Sequence, residues 1–277
     1  MSKIMFKLLA FDLDKTILTD KCRVSEKDRK TLRKLHKSGI IIVISSGRMT
    51  ECIRPFAKMI GLDVPIVGYN GAMVNDSNKS GNKVICHKPL EAKYSNQIID
   101  YTIKHNYFLN FYYMDKLYAY AGLSLRKYSR LYSNQTGAKY HFITNAEWMK
   151  NKKPTKLLIV TEPEQRDKLY HEFYRRFNRN INVMKTNPEY LEFMNKHADK
   201  GTGIKSLAER YNVSRDEIVC FGDNDNDVPM LEFAGTGVAV ANANNRAKSA
   251  ADIVLKATNN QNPITEFMKL YDVCFKN

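Results

Sequence analysis

Asp12 and Asp14 are the residues whose types and spacing point most directly to chemistry. They follow a short apolar run, in the sequence Ala10-Phe-Asp-Leu-Asp-Lys-Thr-Ile-Leu18. Residues i and i+2 of a strand point to the same side, so both carboxylates can converge on one metal ion or phosphorus atom at the strand end. Ionised carboxylates near a core repel each other and lose hydration, so they need a cation between them or a catalytic role that retains them. This geometry suits phosphoryl chemistry. A surface turn is the alternative, because Asp and Thr are common in turns.

Three further groups have side chains suited to the same chemistry. Ser45-Ser46-Gly47-Arg48 follows an apolar run, and a hydroxyl with backbone N–H groups at a turn can hold phosphate oxygens. Lys200, preceded by Asp199, opens a predicted helix. The run from Gly222 to Asp227 reads Gly-Asp-Asn-Asp-Asn-Asp and supplies the hard oxygen ligands that magnesium prefers.

A calcium-binding EF-hand is the competing interpretation of this acidic run, and a surface turn is another. An EF-hand loop places Gly at its sixth position and Glu at its twelfth. Counted from Asp223, those positions hold Val228 and Ala234, so the EF-hand interpretation fails.

Short apolar runs rich in β-branched residues predict the strands that position these groups. Several are apolar at consecutive positions, which is typical of strands buried on both faces in a parallel sheet. The runs are Lys7–Phe11, Ile40–Ile44, Pro65–Val67, Leu157–Val160, Ile218–Phe221 and Val238–Val240.

Helices are predicted between these strands. Ser25 can cap a helix that Gly39 ends, a second helix runs from Thr50 to Ile60, and a third from Gly201 to Tyr211. Alternating strands and helices predict a doubly wound α/β fold, whose ligands lie beyond the carboxyl ends of the strands. The four groups are therefore expected to meet at one edge of the sheet.

The middle of the chain differs from both flanks because residues 101–148 are dense in aromatic side chains, which favour the strands of a half-buried sheet. We therefore predict an inserted α+β cap domain at 86–186, with the core domain formed by 1–85 and 187–277. The aromatic side chains either form the core of the insertion or stack on a planar ring or sugar face of a substrate. Lys116, Arg126 and Lys127 are hypothesised to meet a second anionic group of that substrate.

The amino-acid composition limits the classes of protein to which this chain can belong. The 277 residues are 43% hydrophobic and 26% charged, typical of a globular protein rather than a disordered one. No apolar stretch approaches the roughly 20 residues of a membrane span. The formal charge of +15 makes nucleic acid, an anionic membrane surface or a phosphorylated small molecule credible partners. The five cysteines, Cys22, Cys52, Cys86, Cys220 and Cys274, are widely spread, which favours reduced thiols and a cytoplasmic location.

In this order and spacing, the four groups resemble the motifs of the haloacid dehalogenase superfamily. Asn70-Gly71-Ala72 after a third strand, together with the long insertion, extends the resemblance to its large-capped Cof-type phosphatases of subfamily IIB. The resemblance covers the whole chain. Lys15 departs from it, because many relatives carry Gly or a small or acidic residue there; we expect its side chain to point to solvent, with attraction of an anionic substrate as the alternative.

The resemblance implies a role for each matching residue. Asp12 would be the nucleophile that forms an aspartyl phosphate, and Asp14 the general acid and base. Mg²⁺ would be bound by the Asp12 side chain, the Asp14 backbone carbonyl and the Asp223 side chain, with Asp227 as a nearby carboxylate that could ligate or orient. The phosphoryl oxygens would be held by Ser46, the N–H groups of Leu13 and Gly47, Lys200 and Asn226.

The resemblance therefore implies a magnesium-dependent phosphatase of small phosphorylated metabolites, such as sugar phosphates, pyridoxal phosphate or FMN. A phosphomutase or a sugar-phosphate-specific phosphatase would use the same nucleophile and is the nearest alternative. A basic nucleic-acid-binding protein is the alternative from a different class, although such a protein needs no clustered acids. We expect neither a nucleic acid nor a membrane as partner, and the sequence does not specify the oligomeric state.

Overall fold

The computed structural model describes residues 6–78, 81, 83–120 and 126–270. Within them the strands are, in chain order, β1 (Leu8–Phe11), β2 (Ile41–Ser45), β3 (Ile66–Gly68), β4 (Met73–Asn75), β5 (Val84–His87), β6 (Phe108–Tyr113), β7 (Lys116–Tyr120), β8 (Tyr140–Phe142), β9 (Lys156–Val160), β10 (Ile181–Lys185), β11 (Tyr190–Asn195), β12 (Ile218–Gly222), β13 (Thr236–Ala239) and β14 (Ile253–Val254). The helices are α1 (Glu26–Lys37), α2 (Thr50–Ile60), α3 (Ala92–Lys104), α4 (Arg126–Thr136), α5 (Pro163–Phe177), α6 (Lys200–Tyr211), α7 (Val228–Phe233), α8 (Asn245–Ala250) and α9 (Pro263–Leu270). Cys274 lies outside the described residues.

The chain divides into two compact units. The first consists of Met1–Cys86 and Asp199–Asn277, and the second is His87–Ala198. The sequence-based boundary after residue 186 falls before β11, which pairs with both β9 and β10. These backbone hydrogen bonds place β11 in the second unit, so the boundary that the structure shows lies further along the chain.

An eight-stranded sheet forms the centre of the first unit, in the order β14-β13-β12-β1-β2-β3-β4-β5. The pairs from β14 to β3 are parallel, whereas β3 and β4 are antiparallel. Helices cover both faces of this sheet, which confirms the predicted doubly wound α/β class. The antiparallel edge was not predicted, because β4 is only three residues long and carries no distinct pattern.

The apolar runs of the central strands are buried on both faces because each face packs against helices. Leu9 and Phe11 of β1 share a cluster with residues of α1, α2 and α9. Leu8 and Ala10 face the other way and share a cluster with residues of α6, α7 and α8. Alternate residues of one strand thus fill two separate hydrophobic layers, so polar side chains are found beyond the strand rather than within it.

Local sequence signals explain where the flanking helices begin and end. Ser25 caps α1 by accepting a hydrogen bond from the Asp28 N–H at 3.1 Å. Gly61 ends α2 with φ +81°, a left-handed conformation that glycine adopts without strain. Asp199 caps α6 by accepting from the Thr202 N–H at 2.8 Å, so Lys200 is the first residue of that helix.

A six-stranded sheet forms the centre of the second unit, in the order β10-β11-β9-β6-β7-β8. The run Leu157–Val160, grouped with the parallel strands from its apolar pattern, lies here in β9 and pairs antiparallel with β6 and β11. Its residues are buried on both faces, which is why its pattern resembled a parallel strand.

Aromatic residues of the second unit belong largely to its core. Phe111 lies in the apolar cluster between the sheet and helices α3 and α5. On the opposite face, the hydroxyls of Tyr112 and Tyr132 are hydrogen-bonded to each other, and Lys156 and Glu192 form a buried ion pair at 3.2 Å. Of the two alternatives for these aromatic side chains, the core is confirmed for the fully buried Phe111 and Tyr112.

Candidate active site

The carboxyl ends of three neighbouring parallel strands carry the predicted polar groups. Asp12 follows β1, Ser46 follows β2 and Asp223 follows β12, and β1 lies between the other two strands. The Asp12 N–H donates to the Phe221 carbonyl at 3.0 Å, which extends the β1–β12 ladder by one residue. The two carboxylates therefore leave the sheet at the same edge, side by side.

Three carboxylates form a buried cluster at this edge. One oxygen each from Asp12, Asp223 and Asp227 lies within 4.8 Å of the others. Asp12 and Asp223 are each 6% exposed, and Asp227 is fully buried. Three negative charges this close, and this far from water, require cations to neutralise them.

Lys200 supplies one of those cations. It is fully buried at the start of α6, and its Nζ donates to Asp12 Oδ1 at 2.5 Å and also to Asp227 Oδ1. Burial alone would lower the pKa of Lys200, but the two carboxylates raise it above its ordinary value. The ammonium group is therefore charged at neutral pH and neutralises part of the cluster.

The pKa values of two carboxyls in the cluster are raised above their ordinary values. Burial raises the pKa of Asp12 well above its ordinary value; Lys200 opposes this shift, and Asp227 and Asp223 add to it. Burial also raises the pKa of Asp223 to about 6, although the Thr16 hydroxyl, which donates to Asp223 Oδ1 at 2.6 Å, works in the opposite direction. Both carboxyls therefore ionise less readily than exposed ones, chiefly because they are buried.

Both oxygens of Asp227 accept hydrogen bonds, from the loop after β12 and from Lys200. Its Oδ2 accepts from the N–H groups of Asp223 at 2.9 Å and Asn224 at 3.0 Å, while its Oδ1 faces Lys200. Gly222 makes room for it, since a Cβ at that position would lie 2.4 Å from the Asp227 Cβ. These contacts show that Asp227 orients its neighbours, and direct metal ligation by Asp227 stays a prediction.

Asp14 lies beside this cluster rather than in it. Its side chain is half exposed and forms a two-point pair with Arg48, with Nε to Oδ2 at 2.8 Å and the second nitrogen to Oδ1 at 2.7 Å. Hydrogen bonding to Asp14 raises the pKa of Arg48 above its ordinary value, so the guanidinium remains charged. Asp14, the predicted acid and base, is therefore paired with Arg48, a cation from the Ser45-Ser46-Gly47-Arg48 group.

Backbone N–H groups at this edge are available to an anion. Within the described part of the chain, the N–H groups of Leu13 and Gly47 donate to no protein acceptor. Ser46 is 1% exposed, and its hydroxyl accepts from the Arg48 N–H at 3.3 Å. Asn226 is exposed at the loop end, and its side-chain amide donates to Asn70 Oδ1 at 3.0 Å. These are the donors that a phosphoryl group requires.

The donor set fits a magnesium ion. Mg²⁺ favours oxygen ligands, commonly one or two carboxylates completed by water and phosphate. Asp12 and Asp223 each keep one carboxylate oxygen to which no described residue donates a hydrogen bond. A divalent cation held by these oxygens would offset both the burial of these carboxylates, which is the main cause of their raised pKa values, and the repulsion between them, which adds to it.

Three residues that hydrogen-bond to the site residues were not assigned a role from the sequence. Thr16 holds Asp223 across 207 residues of chain, Arg48 holds Asp14, and Asn70 holds Asn226. Each lies within or next to a recognised group, and that proximity is the signal that could have identified it. Lys15 is exposed, in agreement with the expectation that it points to solvent.

The cations hypothesised to contact a second anionic group, Lys116, Arg126 and Lys127, all lie in the second unit. Lys127 pairs with Glu162 at 2.9 Å, and Arg126 lies over the Phe142 ring at 5.7 Å. Their role in binding a substrate stays a prediction.

The fold and the site define the class of protein. Residues 9–268 match the family model of haloacid dehalogenase-like hydrolases, and the chain belongs to that family. It is a phosphatase of the Cof type, as the resemblance predicted.

Known relatives cover nearly the whole chain. The crystal structure of TM0651 from Thermotoga maritima is 34% identical, superposes with a TM-score of 0.87, and is matched over 96% of this chain and 97% of that one. The 5-amino-6-(5-phospho-D-ribitylamino)uracil phosphatase YcsE of Bacillus subtilis is 26% identical over 90% of this chain and 89% of its own length. The pyridoxal phosphate phosphatase YbhA of Escherichia coli is 25% identical over 95% of this chain and 97% of its own length. Among the described residues, no helix combines the length and apolar content that a membrane span requires.

Proposed function

We propose that this protein is a magnesium-dependent phosphatase that hydrolyses small phosphorylated metabolites through an aspartyl phosphate on Asp12. The observation that carries the proposal is the buried cluster of Asp12, Asp223 and Asp227 with Lys200 in direct contact. A phosphate monoester is a dianion, so a carboxylate nucleophile is repelled unless cations neutralise the charge between them. When bound, Mg²⁺ supplies positive charge to the phosphoryl oxygens and to the attacking carboxylate.

Asp12 performs the first step. Lys200 holds its Oδ1 at 2.5 Å, which fixes the orientation of the carboxylate and leaves its second oxygen without a donor among the described residues. A carboxylate oxygen attacks phosphorus, the new O–P bond forms, and the ester O–P bond breaks. Lys200 and the N–H groups of Leu13 and Gly47 hold the phosphoryl oxygens during this transfer.

Asp14 handles the protons. It gives a proton to the departing alkoxide, which leaves as an alcohol. It then takes a proton from the water that attacks the aspartyl phosphate, so that inorganic phosphate is released and Asp12 is regenerated. Both Asp14 oxygens are engaged by Arg48, so the acid role requires this pair to separate when substrate binds.

The substrate class is a soluble phosphate monoester. The names of two relatives specify pyridoxal phosphate and a phosphorylated ribitylaminouracil, each of which joins a planar ring to a phosphate monoester. We therefore include pyridoxal phosphate, FMN and sugar phosphates among the esters this protein hydrolyses. The net charge of +15 supports attraction of such anions over long distances.

The test is a screen of phosphate esters for release of inorganic phosphate, with Mg²⁺ and again with EDTA. We expect turnover of at least one ester with Mg²⁺, loss of turnover with EDTA, and loss in Asp12→Asn. Asp216→Asn is the matched control, because this aspartate is exposed and lies in the same unit. Retained turnover in Asp12→Asn would refute the proposed nucleophile, and full activity in EDTA would refute the magnesium requirement.

A further inference from the structure

The turn formed by Tyr69, Asn70 and Gly71, which we call the 69–71 turn, has an unusual backbone. It follows β3, and its φ angles are +50°, +49° and +89°. Left-handed conformations are unfavourable for residues with a Cβ, and two such residues stand here in succession. Such a conformation persists only where the surrounding structure fixes it, and it concentrates at functional sites.

The backbone of this turn holds the Ser46–Arg48 loop. The Tyr69 N–H donates to the Arg48 carbonyl at 2.9 Å, and the Asn70 N–H donates to the Ser46 carbonyl at 3.0 Å. In a planar trans peptide the carbonyl and the following N–H point in opposite directions. The bond from Asn70 therefore fixes the direction of the Gly47 N–H, which is one of the proposed phosphate donors.

The Asn70 side chain contacts two proposed phosphate ligands at once. Its Oδ1 accepts from the Asn226 amide at 3.0 Å. The same amide lies against Gly47, because a Cβ built on Gly47 would be 3.0 Å from Asn70 Oδ1 and 3.2 Å from its Nδ2. Asn70 thus bridges the loop after β2 and the loop after β12, which are far apart in sequence.

Gly71 brings the same turn against the start of α6. A Cβ at Gly71 would lie 1.9 Å from the Asp199 carbonyl oxygen, so the two backbones approach as closely as only glycine permits. Lys200 is the next residue. The 69–71 turn therefore touches the segments that carry the second, third and fourth groups of the site.

We propose that Asn70 is a positioning residue for the phosphoryl-binding site, which sets the Gly47 N–H and the Asn226 amide at a fixed separation. This inference rests on the proposed phosphatase function. Asn70 acts through Asn226 by its side chain and on Gly47 by its backbone. Asn is suited to both tasks because it adopts the left-handed conformation more readily than most residues and carries an amide.

The test is Asn70→Gly, which keeps the left-handed backbone accessible and removes the amide. We expect kcat/KM to fall about tenfold, since misplaced donors weaken binding of the transition state. Asn226→Ala and the double variant complete a cycle. If the side chain of Asn70 acts through Asn226, the double variant has the same kcat/KM as Asn226→Ala alone. Effects that multiply in the double variant would overturn the inference.

Asn212→Gly is the matched control. Asn212 also has a left-handed backbone, with φ +51°, but it ends α6 away from the carboxylate cluster. We expect this control to keep wild-type kcat/KM. An Asn70→Gly protein with wild-type kcat/KM would contradict the proposal. So would a loss of activity that matches a loss of folded protein by circular dichroism, because the role would then be purely structural.

Binding of inorganic phosphate in the presence of Mg²⁺, measured by calorimetry, separates this inference from the proposed function. Weaker phosphate binding by Asn70→Gly than by wild type supports the positioning role even if no ester is hydrolysed. Equal binding by both proteins would overturn the positioning role even if wild type is an active phosphatase. A wild-type protein without phosphate affinity would overturn the positioning role, whereas the proposed function is overturned only by the ester screen.

Discussion

Replacing Lys200 by methionine keeps the aliphatic length of the side chain and removes its charge. Lys200 is fully buried and contacts Asp12 and Asp227, so the variant leaves buried carboxylates without this cation. Removing one partner of a buried ion pair costs about 3–5 kcal/mol of folding free energy. For a chain of this size, each kcal/mol shifts the melting temperature by roughly 2–4 °C, so we expect a fall of about 6–20 °C.

Thermal unfolding gives the melting temperature and urea unfolding gives the free energy of unfolding, both followed by circular dichroism at neutral pH in EDTA, with Lys205→Met as the matched control on the same helix. Lys205 is exposed, so its replacement is expected to change the free energy of unfolding by less than about 0.5 kcal/mol. Added Mg²⁺ is expected to stabilise Lys200→Met more than wild type, because the uncompensated carboxylates bind a cation more tightly. A loss below about 1 kcal/mol in Lys200→Met would refute the account of Lys200 as the cation that neutralises the cluster.

Two further substitutions test other parts of the structure. Thr16→Val removes the hydroxyl that donates a hydrogen bond to Asp223. We expect the Mg²⁺ concentration for half-maximal activity to rise about tenfold in Thr16→Val and to return to the wild-type value in Thr16→Ser. An unchanged Mg²⁺ dependence in Thr16→Val would contradict this. Burial raises the pKa of Asp28 in the folded state above its unfolded value of 3.8. The protonated Asp28 side chain therefore stabilises the folded protein below pH 3.8, and this contribution is lost as the pH rises through the folded-state pKa. Asp28→Asn is therefore expected to gain stability relative to wild type as the pH rises in urea unfolding, and a pH-independent difference between the two proteins would refute this.

The sequence predicted the elements that form through local chemistry. Helix α2 runs from Thr50 to Ile60 as expected, because a helical apolar stripe ends at a glycine that adopts a left-handed conformation. Strands β1, β2 and β12 were found because each is a short apolar run followed by polar residues. The sequence also predicted that the groups after these strands would lie at one edge, and the structure places Asp12, Lys200 and Asp223 there.

Contacts between distant segments could not be predicted. No local pattern shows that Thr16 donates to Asp223, or that the amide of Asn226 meets that of Asn70, because each contact depends on the packing of whole strands and helices. The membership of β11 in the second sheet is of the same kind, since pairing partners rather than composition decide it. The apolar pattern of β9 indicated burial on both faces correctly but did not specify which sheet it joins.

The most direct test of the proposed mechanism is a single-turnover reaction with an ester that the phosphate screen identifies, quenched in acid and analysed by peptide mass spectrometry. We predict one phosphoryl group on the peptide that contains Asp12, formed with Mg²⁺ and absent after the Asp12→Asn substitution. An active enzyme that releases phosphate without ever carrying it on Asp12, or that carries it on another residue, would contradict the central claim.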